Sequence, residues 1–185
     1  MLTPEYPLRT ERLIVRAYTD QDFDFLHDLY SRPDVVRYLY DEVHDRERSR
    51  RMLARKMANA ALRAEGDHLT PLLVRADTGE PVGDAMLAWT SEEHGGGEIG
   101  YIIHPDHAGN GYATEAGRLM LRLGFERLKL HRIVGRLDGR NGGSARVLER
   151  LGMRREAHFV ANEFVKGEWA DEVVYAMLAE EWHAS

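Results

Sequence analysis

Apolar positions recur along this chain with two periods, and the alternation between them predicts the order of its elements. Leu8–Tyr18 reads as a first strand with Leu13 and Val15 on one face. Asp20 then opens a helix carrying Phe23, Leu26, Leu29 and Tyr30 at helical spacing, and Pro33 ends it. After a short apolar and aromatic connection (Val35 to Tyr40), an arginine-rich helix is predicted over 45–65, with Met52, Met57, Ala60 and Ala61 in its stripe and Gly66 closing it. Thr70–Ala76 and Pro81–Trp89 form a strand pair around Asp77-Thr78-Gly79-Glu80. Ser91–Gly97 reads as a flexible loop holding three consecutive glycines. A short buried strand follows (Ile99, Tyr101, Ile102, Ile103), then a Pro-broken turn, a glycine-paired loop and a helix running through Met120, Leu121 and Phe125. The inner face of that helix is small (Ala113, Ala116, Gly117, Gly124), which suits close packing on a sheet. The chain closes with a strand over Arg132–Leu137, a helix over Ser144–Leu151 and two strands over Arg154–Glu163 and Glu168–Met177. Mixed elements without a repeat or linker predict one α/β domain spanning residues 1–185.

Composition narrows the function classes. A 43% hydrophobic, 30% charged chain of 185 residues is long enough for a real core. Its formal net charge of −6 argues against nucleic-acid binding and slightly favours a cationic or amine substrate. With no cysteine, neither a disulfide framework nor a thiol nucleophile is available. The first residues show no basic and apolar leader, and no apolar run reaches membrane-spanning length, so a cytoplasmic protein with no membrane partner is expected. The charges of the 45–65 helix read as a solvated face. Trp89 and the 159–175 strand pair fit either a core role or a homodimer contact.

Chemistry concentrates in two stretches. In Ala108-Gly109-Asn110-Gly111-Tyr112-Ala113-Thr114, the two glycines allow a tight turn and close backbone approach. The helix start behind them supplies free N–H groups and a positive dipole end, which together make an anion site, most simply for phosphate. Gly95 to Gly100 matches G-x-G-x-x-G formally, but it precedes a strand where a dinucleotide site needs a following helix. His104 and His107 lack a completing cysteine or carboxylate cluster, so no metal site is expected. Ser144 has no nucleophile elbow around it and reads by itself as a helix N-cap.

These stretches resemble a known family. Residues 108–116 look like the acyl-CoA pyrophosphate loop of the GNAT N-acetyltransferase superfamily, and Asn141 to Met153 resembles its second motif, N-x-x-S-x-x-[VL]-x-x-x-[LA]-G-[FM]. The opening T-E-R-L-I-V-R (Thr10 to Arg16) and the closing G-E-W-x-D-x-x-x-Y (Gly167 to Tyr175) resemble the RimJ/RimL branch, which acetylates ribosomal-protein N-termini. Ala108 departs from the pattern, standing where a Gln or Arg is usual. The resemblance implies a mostly antiparallel twisted sheet of about seven strands, flanked by helices and split at its central strands to hold acyl-CoA.

The implied reaction is direct attack of a primary amine on the acetyl-CoA thioester. On that reading the 108–114 backbone holds the diphosphate, and backbone N–H near Ile102 or Ile103 meets the developing oxyanion. Ser144 protonates the leaving thiolate, whose parent thiol has a pKa of about 8.5, and Asn141 bonds the pantetheine arm. Tyr112 is a weaker choice of acid. Glu98 is the candidate base, whereas Glu115 reads as a helix-dipole partner. An α-amino group, with a pKa near 8, needs little help to lose its proton, while a lysine near 10.4 needs much more. Acetylation of a small amine, such as an aminoglycoside or polyamine, is the alternative, with the 45–65 helix and 91–97 loop flanking the acceptor. A non-catalytic acyl-CoA sensor is the rival from another class.

Overall fold

Leu13 and Val15 are fully buried, as their alternation predicts, yet the first strand is broken into two. The computed structural model, which describes residues 1–184, pairs β1 (Leu8–Arg9) antiparallel with β2 (Leu13–Arg16), placing Leu8 opposite Val15. The break comes from outside the strand. Glu115, over a hundred residues on, accepts hydrogen bonds from Thr10 Oγ1 and from the Arg12 N–H at the turn.

The next helix starts later than Asp20. A 3₁₀ turn over Asp20–Asp22 leads into α1 (Phe23–Ser31), and Asp22 is the carboxylate that accepts from the Thr19 N–H and pairs with Arg16. Pro33 stops α1 and opens the single turn α2 (Pro33–Val36). The arginine-rich helix is shorter than its pattern suggests. Asp45 caps α3 (Arg46–Ala58), and at Asn59 the backbone leaves the helix, so that Leu62 pairs with Leu2 and is fully buried. Tertiary burial of Leu62 outweighs local helix propensity here.

The rest of the sheet follows the predicted order: β3 (His68–Leu69), β4 (Leu72–Arg75), β5 (Pro81–Ser91), β6 (Gly96–Ile103), β7 (Arg132–Asp138), β8 (Arg154–Val165) and β9 (Glu168–Leu178). Among the described residues, nine strands form one sheet in the order β1-β2-β4-β5-β6-β7-β9-β8, with β3 on β5; seven of them have four residues or more. The three-glycine stretch is no flexible loop. Gly96 and Gly97 lie in β6, and a Cβ on Gly97 would come within 2.5 Å of Leu130 Cδ1, so glycine is there for packing.

Helices cover the sheet on both faces. On one, α1 to α3 bury Leu26, Leu29, Leu53 and Tyr30 against Leu72 and Val74. On the other, α4 (Tyr112–Arg122) and α5 (Gly142–Arg150) pack with Ile99, Ile133 and Val173. The small residues of α4 do what their size predicts, Gly117 meeting Leu151 and, just beyond the helix, Gly124 meeting Ile133. A short terminal helix, α6 (Ala179–Ala184), follows β9.

Candidate active site

Every neighbouring pair in the sheet is antiparallel except β6 and β7, the two strands joined through α4. That parallel ladder is short, matching Gly96–Glu98 with Arg132–Val134 and then stopping. Beyond Glu98 the tail of β6 stays paired with β5 alone, and a wedge opens between Ile99–Ile103 and the second half of β7. The split expected at the central strands is present, between β6 and β7.

Strand alternation sorts the groups along the wedge. The His104 N–H donates to Val82 O at 2.8 Å, and Ile102 O lies on the β5 side, where a Cβ on Gly83 would be 2.1 Å from it. Even-numbered backbone groups of β6 therefore face β5, and the odd-numbered N–H groups of Tyr101 and Ile103 face the opening. Of the two residues expected near the oxyanion, Ile103 presents its N–H to the wedge and Ile102 turns away.

At the mouth of the wedge, the loop 108–111 feeds α4. Gly111 is its N-cap in the left-handed region (φ +80°), and Gly109 has φ +79°, so both need glycine's freedom. The first-turn N–H groups of Tyr112, Ala113 and Thr114 have no intrahelical acceptor. Thr114 Oγ1 is buried without a hydrogen-bond partner among the described residues, an orphan that an anion at this helix start would satisfy. The Asn110 side chain is turned inward onto His107 O and Ala108 O, and the Ala108 N–H is spent on Pro105 O. Both residues shape the loop, so a ligand there would be left to the donors of its glycines and helix turn.

Arg12 was missed by the sequence reading. Its guanidinium donates to Asn110 O at 2.8 Å and to Glu115 at 2.8 Å, and it lies over the Tyr112 ring at 5.3 Å. It brings a cation to the loop that lacks one at Ala108. Burial works to raise the Glu115 carboxyl, but hydrogen bonds from Thr10 and Arg12 outweigh it and hold the group below its ordinary value. Glu115 thus fastens β2 to the loop as well as sitting in the first turn of the helix.

Ile99 and Tyr101 point to the α4–α5 face of the sheet. There, Tyr101 Oη donates to Ser144 O at 3.0 Å, joining β6 to the start of α5 across the wedge. Burial pushes the Tyr101 phenol above its ordinary value, with the Ser144 hydroxyl pulling the other way. Ser144 is not the N-cap: Asn141 Oδ1 accepts the Ser144 N–H at 3.0 Å, so Asn141 caps α5 and leaves the Ser144 hydroxyl free of that task. Asn141 keeps its amide N–H₂ as a donor for a ligand.

Glu98 faces the opposite side. Its carboxylate lies 3.6 Å from Arg136, which holds Glu172 at 2.7 Å. Burial raises the Glu98 carboxyl above its ordinary value; Arg136 lowers it and Glu172 raises it again. Tyr40, from the connection after α2, donates to Glu163 and lies within the field of Glu172 and Glu98. Lys166, at the β8–β9 turn, reaches Val36 O from the other bank. This connection and the hairpin flank the opening, where the 91–97 segment was expected. That segment lies at the closed end of β6, with Gly95 O accepting the His131 N–H. A bulge in β8 between Phe159 and Glu163 brings Asn162 onto Glu172 as well.

His104 is buried and spoken for, with Nε2 2.8 Å from Asp28 and Nδ1 accepting the Asp106 N–H at 3.3 Å.

Residues 12–154 match the acetyltransferase (GNAT) domain model. An uncharacterized N-acetyltransferase of Bacillus subtilis is 30% identical over 176 residues, covering 95% of this chain and 99% of the relative. The crystal structure of a GNAT-family acetyltransferase from Bacillus anthracis superposes with a TM-score of 0.84 at 31% identity, covering 98% of this chain and all of that one. The spermidine N(1)-acetyltransferase of Escherichia coli is 24% identical over 159 residues, 86% of this chain and 82% of the enzyme.

Proposed function

From the premise that this chain belongs to the GNAT family and is an acetyltransferase, we propose that it moves the acetyl group of acetyl-CoA to a primary amine by direct attack. One observation carries the reading: the β6–β7 ladder ends at Glu98, with a carboxylate on one side of the opening and Ser144 on the other. Donor and acceptor can then meet edge-on in the wedge. The diphosphate sits on the α4 start, where Thr114 Oγ1 and three N–H groups lack partners.

In this scheme Glu98, raised by burial, takes the amine proton directly or through a water. The Ile103 N–H meets the charge that develops on the thioester oxygen. As the tetrahedral centre collapses, the C–S bond breaks, the Ser144 hydroxyl passes its proton to the thiolate, and the serine takes a replacement proton from solvent. A thiol-release assay with acetyl-CoA and an amine panel tests the whole. No release across peptides, polyamines and aminoglycosides would overturn it.

Two acceptor classes fit. The closing and opening motifs favour a protein N-terminus, as in the RimJ/RimL branch. A small polycationic amine is favoured by Glu98, Glu163 and Glu172 around Tyr40, with Arg136 the cation paired among them, and by the spermidine-acetylating relative. The ratio of turnover on spermidine to turnover on an N-terminal peptide decides between them.

A further inference from the structure

We propose that Gly83, a residue of β5 outside the wedge, is a positioning residue that sets where the Ile103 N–H stands for the reaction. The inference rests on the reading of that N–H as the thioester oxygen's donor.

Gly83 lies opposite Ile103, and Asp84 opposite Ile102, at the end of the β5–β6 ladder. A Cβ added to Gly83 would stand 2.1 Å from Ile102 O, 2.9 Å from Ile103 Cα and 3.1 Å from Ile102 C. All three are backbone atoms, so no rotamer change relieves the overlap. One of the two strands must move. Strand β5 is pinned beside this point: Asp84 Oδ2 receives Lys56 Nζ at 2.8 Å, Tyr18 Oη at 2.9 Å and Tyr30 Oη at 3.2 Å, with all four residues buried. The tail of β6 has no strand on its far side, because β7 has already left it, and the contacts that hold it, Tyr101 Oη on Ser144 O and the His104 N–H on Val82 O, flank Ile103 without fixing its own N–H. A side chain at position 83 therefore pushes β6 toward the opening and carries the Ile103 N–H with it. Glycine here lets the two backbones close, and their closeness fixes the donor.

The test is Gly83→Ala, read by the amide NMR shift of Ile103 with Gly97 as reference, by kcat, and by CoA affinity. Gly100→Ala serves as a folding control, since its Cβ would meet only the Met86 side chain, at 3.4 Å. The expected result is a shifted Ile103 amide, an unshifted Gly97, CoA affinity within a few-fold, and kcat lower by about 10²-fold, the cost of an ångström-scale misplacement. An Ile103 amide unchanged in a folded Gly83→Ala protein overturns the positioning role. A shifted amide with unchanged kcat overturns instead the reading of Ile103 as donor, and with it the catalytic part of the inference. Should Gly83→Ala fail to fold, Lys56→Met tests the pinning premise: release of Asp84 on β5 moves the Ile103 amide if the pinning argument holds, and a constant Ile103 amide defeats it.

Discussion

The Glu98 carboxylate lies 3.6 Å from the guanidinium of Arg136, with Glu172 on that guanidinium's other side. The pairing sets a pH dependence. As a base, Glu98 acts only when ionised, so activity falls as pH drops through its raised pKa. Arg136 favours the ionised form, so Arg136→Gln moves the acidic limb of kcat/KM to higher pH, and Glu98→Gln removes the limb together with most of the activity. A pH–rate profile of the two variants checks this; an acidic limb that persists in Glu98→Gln assigns the base elsewhere.

The same shift has a stability consequence of opposite sense. Folded Glu98 binds its proton more tightly than the unfolded chain does, so its contribution declines as pH rises through the carboxylate range. Glu98→Gln is therefore expected to match or exceed the parent Tm at pH 7 and to lose that advantage near pH 4. Thermal melts across that range settle the sign.

Arg12 should matter to the donor and little to chemistry. Its guanidinium stands at the 108–111 loop, and a charge-assisted hydrogen bond contributes about 1.5–3 kcal/mol. Arg12→Ala is expected to raise the KM for acetyl-CoA by about 10-fold or more, with kcat within a few-fold. Some of that loss would reflect Glu115 left without its partner, which Arg12→Ala/Glu115→Gln corrects for. An unchanged KM in both variants removes Arg12 from the cradle.

Ser144 and Tyr101 touch the same point from α5 and β6. Ser144→Ala is predicted to slow the chemical step by roughly 10²-fold, the scale of general acid catalysis. Single-turnover thiol release measures it, and full activity in Ser144→Ala excludes the serine as acid.

What the chain order reveals is what periodicity and local motifs encode. Alternation at Leu13 and Val15, the small face of α4 and the glycines of its start all read correctly, because each depends on neighbours a few residues away. The ordered motifs carried the family and the split sheet. The misreadings arise from partners far along the chain. The first strand breaks because Glu115 seizes the Thr10–Arg12 turn, and α3 stops at Ala58 because Leu62 is drawn to Leu2. Ser144 looked like a cap because the Asn141 side chain reaches it only once the helix has formed. Arg12 stood in the opening T-E-R-L-I-V-R motif without a sign of its place at the loop, and Tyr40 and Glu172 carried no local signal, since each gains its role from a residue on another strand or loop.

Lys56 is the plainest example. It lies on a helix rich in exposed arginines, yet it is buried against Asp84 beneath the Tyr18 and Tyr30 rings. A buried ion pair gains little over a well-packed apolar replacement, but breaking it strands the remaining charge, at a cost of about 3–5 kcal/mol. Lys56→Met should therefore destabilise by that amount, leaving Asp84 with two tyrosine hydroxyls as donors. The double variant Lys56→Met/Asp84→Asn removes the stranded charge and should recover at least half of the loss. Denaturant midpoints for the two singles and the double close the cycle. Additive losses would mean that the two charges are stabilised by their surroundings and not by each other.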